Sequence, residues 1–168
     1  MTSPVSGAVG RPSQIDAAFD AAIAALIADG AMPGMIVGTP SQVTSDSSTF
    51  TTSETEVQTI TVPVTSGRVY SVTWWPLFRS SVANDEVRAR IREDSSAGTE
   101  IQTAVRVVTT GAGALGTEMS LTAFYTAGAT EDKTFSLTGV RVGGSGNINL
   151  EGASGRPSIA VVRYEYTP

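Results

Sequence analysis

The sequence predicts an all-β fold, a jelly-roll-like antiparallel β-sandwich of eight or nine strands behind one N-terminal amphipathic helix. Two patterns predict it. After Pro33 apolar residues recur with period two in short stretches, and clusters of Gly, Ser, Asn and Asp separate those stretches at near-regular spacing. Composition agrees: charged residues are only 16 % of the chain, too few to coat many solvated helices, and there are 17 glycines to serve turns.

The first twelve residues (MTSPVSGAVGRP) are small and polar and predict an extended arm without a core. Ser13 is then placed to cap a helix over about 13–29, with Asp16 at N3. Ile15, Phe19, Ala22, Ile23, Leu26 and Ile27 follow at spacings of three and four, and Gly30 stops the run. A helix this short is marginal in water, so its stripe needs cover. The cover is its own β-domain, sister copies around a symmetry axis, or another protein. Residues 1–34 are therefore read as an anchoring or trimerising segment, and 35–168 as the sandwich.

Candidate strands are Met35–Val43, Glu56–Val64, Arg68–Trp75, Glu86–Glu93, Glu100–Thr109, Thr117–Thr126, Lys133–Val142, Asn147–Glu151 and Ser158–Tyr166. The short connections suggest that most sequence neighbours pair antiparallel. Thr44–Thr55 is a Ser/Thr-rich loop or ragged edge. Alternation turns Val87, Ala89 and Ile91 inward and Arg88, Arg90 and Arg92 outward. The last strand is apolar on both faces, which predicts a subunit contact involving Tyr164 and Tyr166.

The chain has no cysteine and no histidine. That excludes disulfides, Cys/His zinc sites and every imidazole-based triad, and stability must come from packing or assembly. A net charge of −5 disfavours nucleic acid as a partner. No basic, apolar leader and no bilayer-length apolar run is visible, so neither secretion nor a membrane partner is expected, and synthesis in the cytoplasm is the default.

Three features could carry chemistry. Arg88, Arg90 and Arg92 form a guanidinium row able to grip a carboxylate-rich partner, or a solvated strand face neutralised by Glu86, Glu93, Asp94 or Glu100. Trp74 and Trp75 must point to opposite faces, one into the core and one outward for an interface or a sugar ring, with Pro76 marking an edge or bulge. Asp85-Glu86, Glu93-Asp94 and Glu131-Asp132 are carboxylate pairs that could bind calcium or serve a glycosidase, or simply solvate turns. The expectation is no catalytic residue, no metal and no cofactor. The candidate interface is Ile15, Phe19, Ile23, Leu26, Arg88, Arg90, Arg92, Trp75, Tyr164 and Tyr166.

The stretches Ser80–Val87, Arg90–Ser95 and Gly98–Gln102, then Lys133–Thr138, Arg141-Val142, Gly146 and Pro157, resemble small structural virion proteins of tailed phages infecting actinobacteria. These are described as head decoration, head fibre or minor tail proteins. The resemblance covers roughly 60–168. It departs at the ending Arg163–Pro168, where a more acidic terminus would be expected, and it does not extend to the helix. It implies a homotrimer on the virion surface, assembled in the host cytoplasm. Major capsid protein or tail proteins would be its partners, with host-surface glycan as an alternative ligand.

Overall fold

The computed structural model describes residues 17, 19–25, 32–109, 111, 116–153 and 155–168. Residues 17 and 19–25 are helical, within the expected span. Ile15 and Leu26, the other two expected anchors of the helix stripe, lie outside the described residues.

Eleven strands follow: β1 (Ser41–Val43), β2 (Thr55–Val64), β3 (Val69–Trp75), β4 (Leu77–Ser80), β5 (Asp85–Glu93), β6 (Glu100–Val108), β7 (Thr117–Glu118), β8 (Leu121–Thr126), β9 (Glu131–Gly143), β10 (Ile148–Leu150) and β11 (Ser158–Tyr166). They form one four-stranded sheet in the order β1-β11-β3-β8, a second in the order β2-β9-β5-β6, and a small sheet β10-β4-β7. Every pairing is antiparallel. The fold is thus an antiparallel β-sandwich.

Sequence neighbours do not generally pair, contrary to expectation: β5 and β6 alone among consecutive strands share a ladder. Turns between the other strands carry the chain from one sheet to the other, because each strand has an apolar face that must meet a facing sheet. Three boundaries also differ. Of 35–43 only β1 is strand, with Ile36 making an isolated bridge to Arg163. The 117–126 stretch splits into β7 and β8, and β4 was not foreseen. Pro76 lacks a ladder donor, so β3 ends there, and the chain continues as β4 in the small sheet.

The two large sheets meet over Val62, Val72, Val87, Ala89, Ile91, Phe135, Leu137 and Val162, all sealed from solvent. Phe50, in the Ser/Thr-rich segment, bridges to Ile148 and inserts its ring between the layers. Gly139 is required opposite it, since a Cβ there would stand 2.6 Å from Phe50 Cζ. Edge-to-face contacts then run from Phe50 to Phe78 at 6.1 Å and from Phe78 to Trp74 at 5.8 Å.

Trp74 also closes a polar node in the core. Its Nε1 donates to Gln58 Oε1 at 2.9 Å and to Ser158 Oγ at 3.0 Å, while Ser158 Oγ donates to Gln58 Oε1 at 2.8 Å. Gln58 Nε2 reaches the Ser41 carbonyl at 3.0 Å. Gln58 belongs to one large sheet, and Trp74, Ser158 and Ser41 to the other, so the node pins the layers in register. A bulge between Glu56 and Gln58 permits it, because without that extra residue the two side chains would share a face.

Candidate interaction surfaces

The arginine row lies where alternation puts it, on the outer face of the β2-β9-β5-β6 sheet. The loop before β2 brings Glu54 across that face to bind Arg90 and Arg92 together, with Arg92 Nε 2.7 Å from Glu54 Oε1. Thr138 Oγ1 donates to the same carboxylate, and Glu100 adds a contact 2.6 Å from Arg90 Nε. Burial pushes the Glu54 carboxyl up, but the bonds from Arg92 and Thr138 and the charge of Arg90 outweigh it and hold it below its usual value. Glu100 was among the foreseen partners; Glu54 was not. Glu93 and Asp94 turn instead to Lys133 Nζ, at 2.9 and 3.0 Å. Burial lowers the Lys133 pKa, but these two carboxylates overcome it and keep the amine firmly protonated.

Arg88 differs. It pairs across the sheet with Val105 and Val140 and has no ion-pair or hydrogen-bond partner among the described residues. Val105, Val107 and Val142 are exposed around it. Exposed Glu86, two residues before Arg88 and opposite Val107, shares this face, so this end of the sheet is an apolar patch carrying one guanidinium and one carboxylate.

Of the carboxylate pair at 85–86, Glu86 is exposed and Asp85 is a structural knot. Asp85 is 1 % exposed. It accepts from Ser80 Oγ, from the Ser145 amide at 2.8 Å and from the Gly146 amide at 3.0 Å. Gly144 approaches with φ +85°, too close to the carboxylate to carry a Cβ. Burial raises the Asp85 pKa, yet these bonds and Arg141 more than offset it, and the carboxyl titrates below its ordinary value. Among the described residues no cluster of three or more acidic groups could hold a metal ion. Nor is any described helix long and apolar enough to cross a membrane.

On the β1-β11-β3-β8 sheet the outward row Ile36, Arg163, Ser71 and Phe124 crosses all the strands present at that level. Phe124 is 67 % exposed at one end of the row, Ile36 is exposed at the other, and Tyr166 is exposed on the same face. On the helix, Phe19 is 65 % exposed and Ile23 is half-buried. Tyr164 does not join this surface as expected. A bulge between Tyr164 and Tyr166 reverses their facing, so Tyr164 is buried at 5 % exposure with its ring against Tyr70 and under Arg68. Phe124, Ile36 and the valine patch were missing from the expected interface; outward positions in the strand alternation are the signal that points to them.

Trp75 does point outward, 40 % exposed, against none for Trp74. At the corner where β3 gives way to β4 it borders a pocket of about 360 Å³ with Leu77, Glu118, Met119, Arg156 and Pro157. Arg156 Nη1 is buried without a hydrogen-bond acceptor among the described residues, 3.8 Å from Glu151 Oε1. Glu151 is itself engaged by the Gly116 amide at 2.6 Å.

No family model matches the chain, and no curated protein does. Solved structures with a similar course include one described as "CBM4 structure and function", with 12 % identity, a TM-score of 0.33, and 61 % of this chain aligned to 59 % of that one. The infectious bursal disease virus Gt strain structure aligns over 79 % of this chain at 19 % identity and a TM-score of 0.41. This chain spans about a third, 34 %, of that viral chain's length. The CBM22-1 xylan-binding domain of Paenibacillus barcinonensis Xyn10C aligns over 70 % of this chain and 71 % of its own, at 11 % identity and a TM-score of 0.34.

Proposed function

We propose that the chain is a non-enzymatic structural protein of a tailed bacteriophage particle, a trimeric decoration protein on the outside of the head. The observation that carries this reading is apolar surface on the outer faces of both large sheets. Phe124, Ile36 and Tyr166 stand out from one sheet, and Val105, Val107 and Val142 from the other. Burying an aromatic or aliphatic side chain of this size contributes about 1.5–3 kcal/mol, so surfaces of this kind favour association. The resemblance of residues 60–168 to virion proteins supplies the class of particle and the number three.

In this reading sister copies cover the Phe124 face, while the valine patch with Arg88 meets an acidic spot on the capsid or tail protein. Many copies binding only the assembled lattice then stabilise it by mass action. The arm and helix tie the trimer together or anchor it.

Two measurements test the proposal. Light scattering on the purified chain is expected to give about three times 17.3 kDa. Imaging of labelled particles is expected to find hundreds of copies spread over the head. A monomer in the first measurement removes the trimer. A handful of copies at the tail in the second removes decoration and leaves a minor tail protein.

A further inference from the structure

We infer that the corner pocket beside Trp75 binds a neutral pyranose unit of a polysaccharide. The inference goes beyond the structural role and does not rest on it.

The pocket offers two kinds of wall. The Trp75 indole, Leu77 and Met119 form an apolar side; Glu118 and Arg156 form a polar one. A ligand matching both needs a flat C–H face to lie on the ring and oxygens around its edge, and a pyranose has both. At about 360 Å³ the space lies near the low end of the roughly 300–1,000 Å³ typical of ligand pockets, which suits one or two sugar rings.

Hydrogen bonding suits an oxygen ligand. Arg156 Nη1 is itself sealed from solvent, but the Arg156 side chain as a whole is 35 % exposed and lines the pocket, as does the exposed Glu118. A sugar hydroxyl could accept from the exposed part of the guanidinium and donate to the Glu118 carboxylate.

Charge then selects within the class. The lining carries one positive group, Arg156, and one negative group, Glu118, so it has no net charge. An acidic sugar would set its carboxylate against Glu118 as well as Arg156 and gains nothing from the site as a whole. A quaternary ammonium would meet the Arg156 guanidinium in the wall, and only one aromatic ring is present to hold it. A neutral sugar conflicts with neither. Trp75 shares the outer face of its sheet with Phe124 but stands at the other end of β3, about 13 Å away, since Phe124 pairs with Ser71, four residues before Trp75.

The test uses the intact chain and its two indole N–H signals in NMR. Trp74 is sealed in the core and Trp75 lines the pocket, so one signal reports folding and the other binding. The probes are oligosaccharides of glucose, xylose, mannose and galactose, with oligogalacturonate and choline as charged controls. At least one neutral oligosaccharide is expected to shift the Trp75 signal saturably while Trp74 stays still. Trp75→Ala should weaken binding about tenfold or more, read from backbone amides around Met119, and Arg156→Gln should weaken it severalfold. The inference is overturned if no neutral probe binds, if only the charged controls bind, or if Trp75→Ala binds as well as the parent.

Discussion

Replacing Asp85 should separate a buried charge's contribution from that of its shape. The carboxylate accepts from Ser80 Oγ and from the amides of Ser145 and Gly146, and it is almost sealed from solvent. Asp85→Ala leaves those donors without an acceptor. Hydrogen bonds to charged groups contribute about 1.5–3 kcal/mol, and the backbone can relax only in part, so a loss of about 3 kcal/mol is expected. For a chain of this size that is about 9 °C in Tm. Asp85→Asn keeps one oxygen for the amides and turns an amide nitrogen to Ser80 Oγ, which can accept; about 1 kcal/mol is expected there. The folded-state pKa of Asp85 is depressed below 3.8, so its charge contributes stability that is complete above that ordinary value. This stability is lost as pH falls through the folded value. The advantage of the parent over Asp85→Asn should therefore be largest at neutral pH and shrink in the acid range. Urea denaturation followed by tryptophan fluorescence, at fixed protein concentration, measures both variants. An Asn deficit equally large at neutral pH and in strong acid would refute the assignment of that stability to the carboxylate's charge.

Three further perturbations test the other elements. Glu54→Gln should cost about 2 kcal/mol in the same urea assay, because Arg90 and Arg92 lose the carboxylate they share; a loss below about 0.5 kcal/mol would show the clamp to be a solvated surface pair. Trp74→Phe keeps the edge-to-face contact with Phe78 but removes the donor to Gln58 and Ser158, and a loss of about 2 kcal/mol is expected by thermal melting. Phe124→Ser combined with Ile36→Ser should shift light scattering from trimer to monomer with Tm of the isolated chain nearly unchanged, since both residues are exposed. An unaltered trimer moves the contact to another face.

Strand alternation was legible wherever a strand keeps one register throughout. Val87, Ala89 and Ile91 face in and Arg88, Arg90 and Arg92 face out because β5 runs without interruption to Ile91. Alternation fails where a bulge inserts one residue. Tyr164 and Tyr166 read as one face and occupy two; Glu56 and Gln58 do the same, and the second bulge builds the polar node around Trp74. Phe50 was hidden differently. It sits in a run of Ser and Thr with no period, and it becomes core only because Ile148, nearly a hundred residues later, supplies the bridge. Glu54 escaped notice for a related reason: the order β2-β9-β5 places it beside Arg90 through a ladder set by distant chain, which local spacing does not encode. The Trp75 pocket likewise needs β3, β7 and the turn before β11 to meet at one corner.

The distribution of charge bears on how the protein meets its partners. Asp85 is consumed by the Gly146 turn, Lys133 by Glu93 and Asp94, and Glu54 by two arginines and a threonine. Each of these groups is held by neighbours within the chain that favour its charged form, so each is committed to holding loops and strands in place. What remains on the outer sheet faces mixes apolar and charged groups: Phe124, Ile36 and Tyr166 with Arg163 on one side, and valines around Arg88 and Glu86 on the other. In the proposed assembly such a surface would bind its partner through apolar burial, with Arg88 fixing register against a carboxylate. Repeated contacts on a lattice would need strength from burial and specificity from a few charges, and the proposed assembly would draw on both.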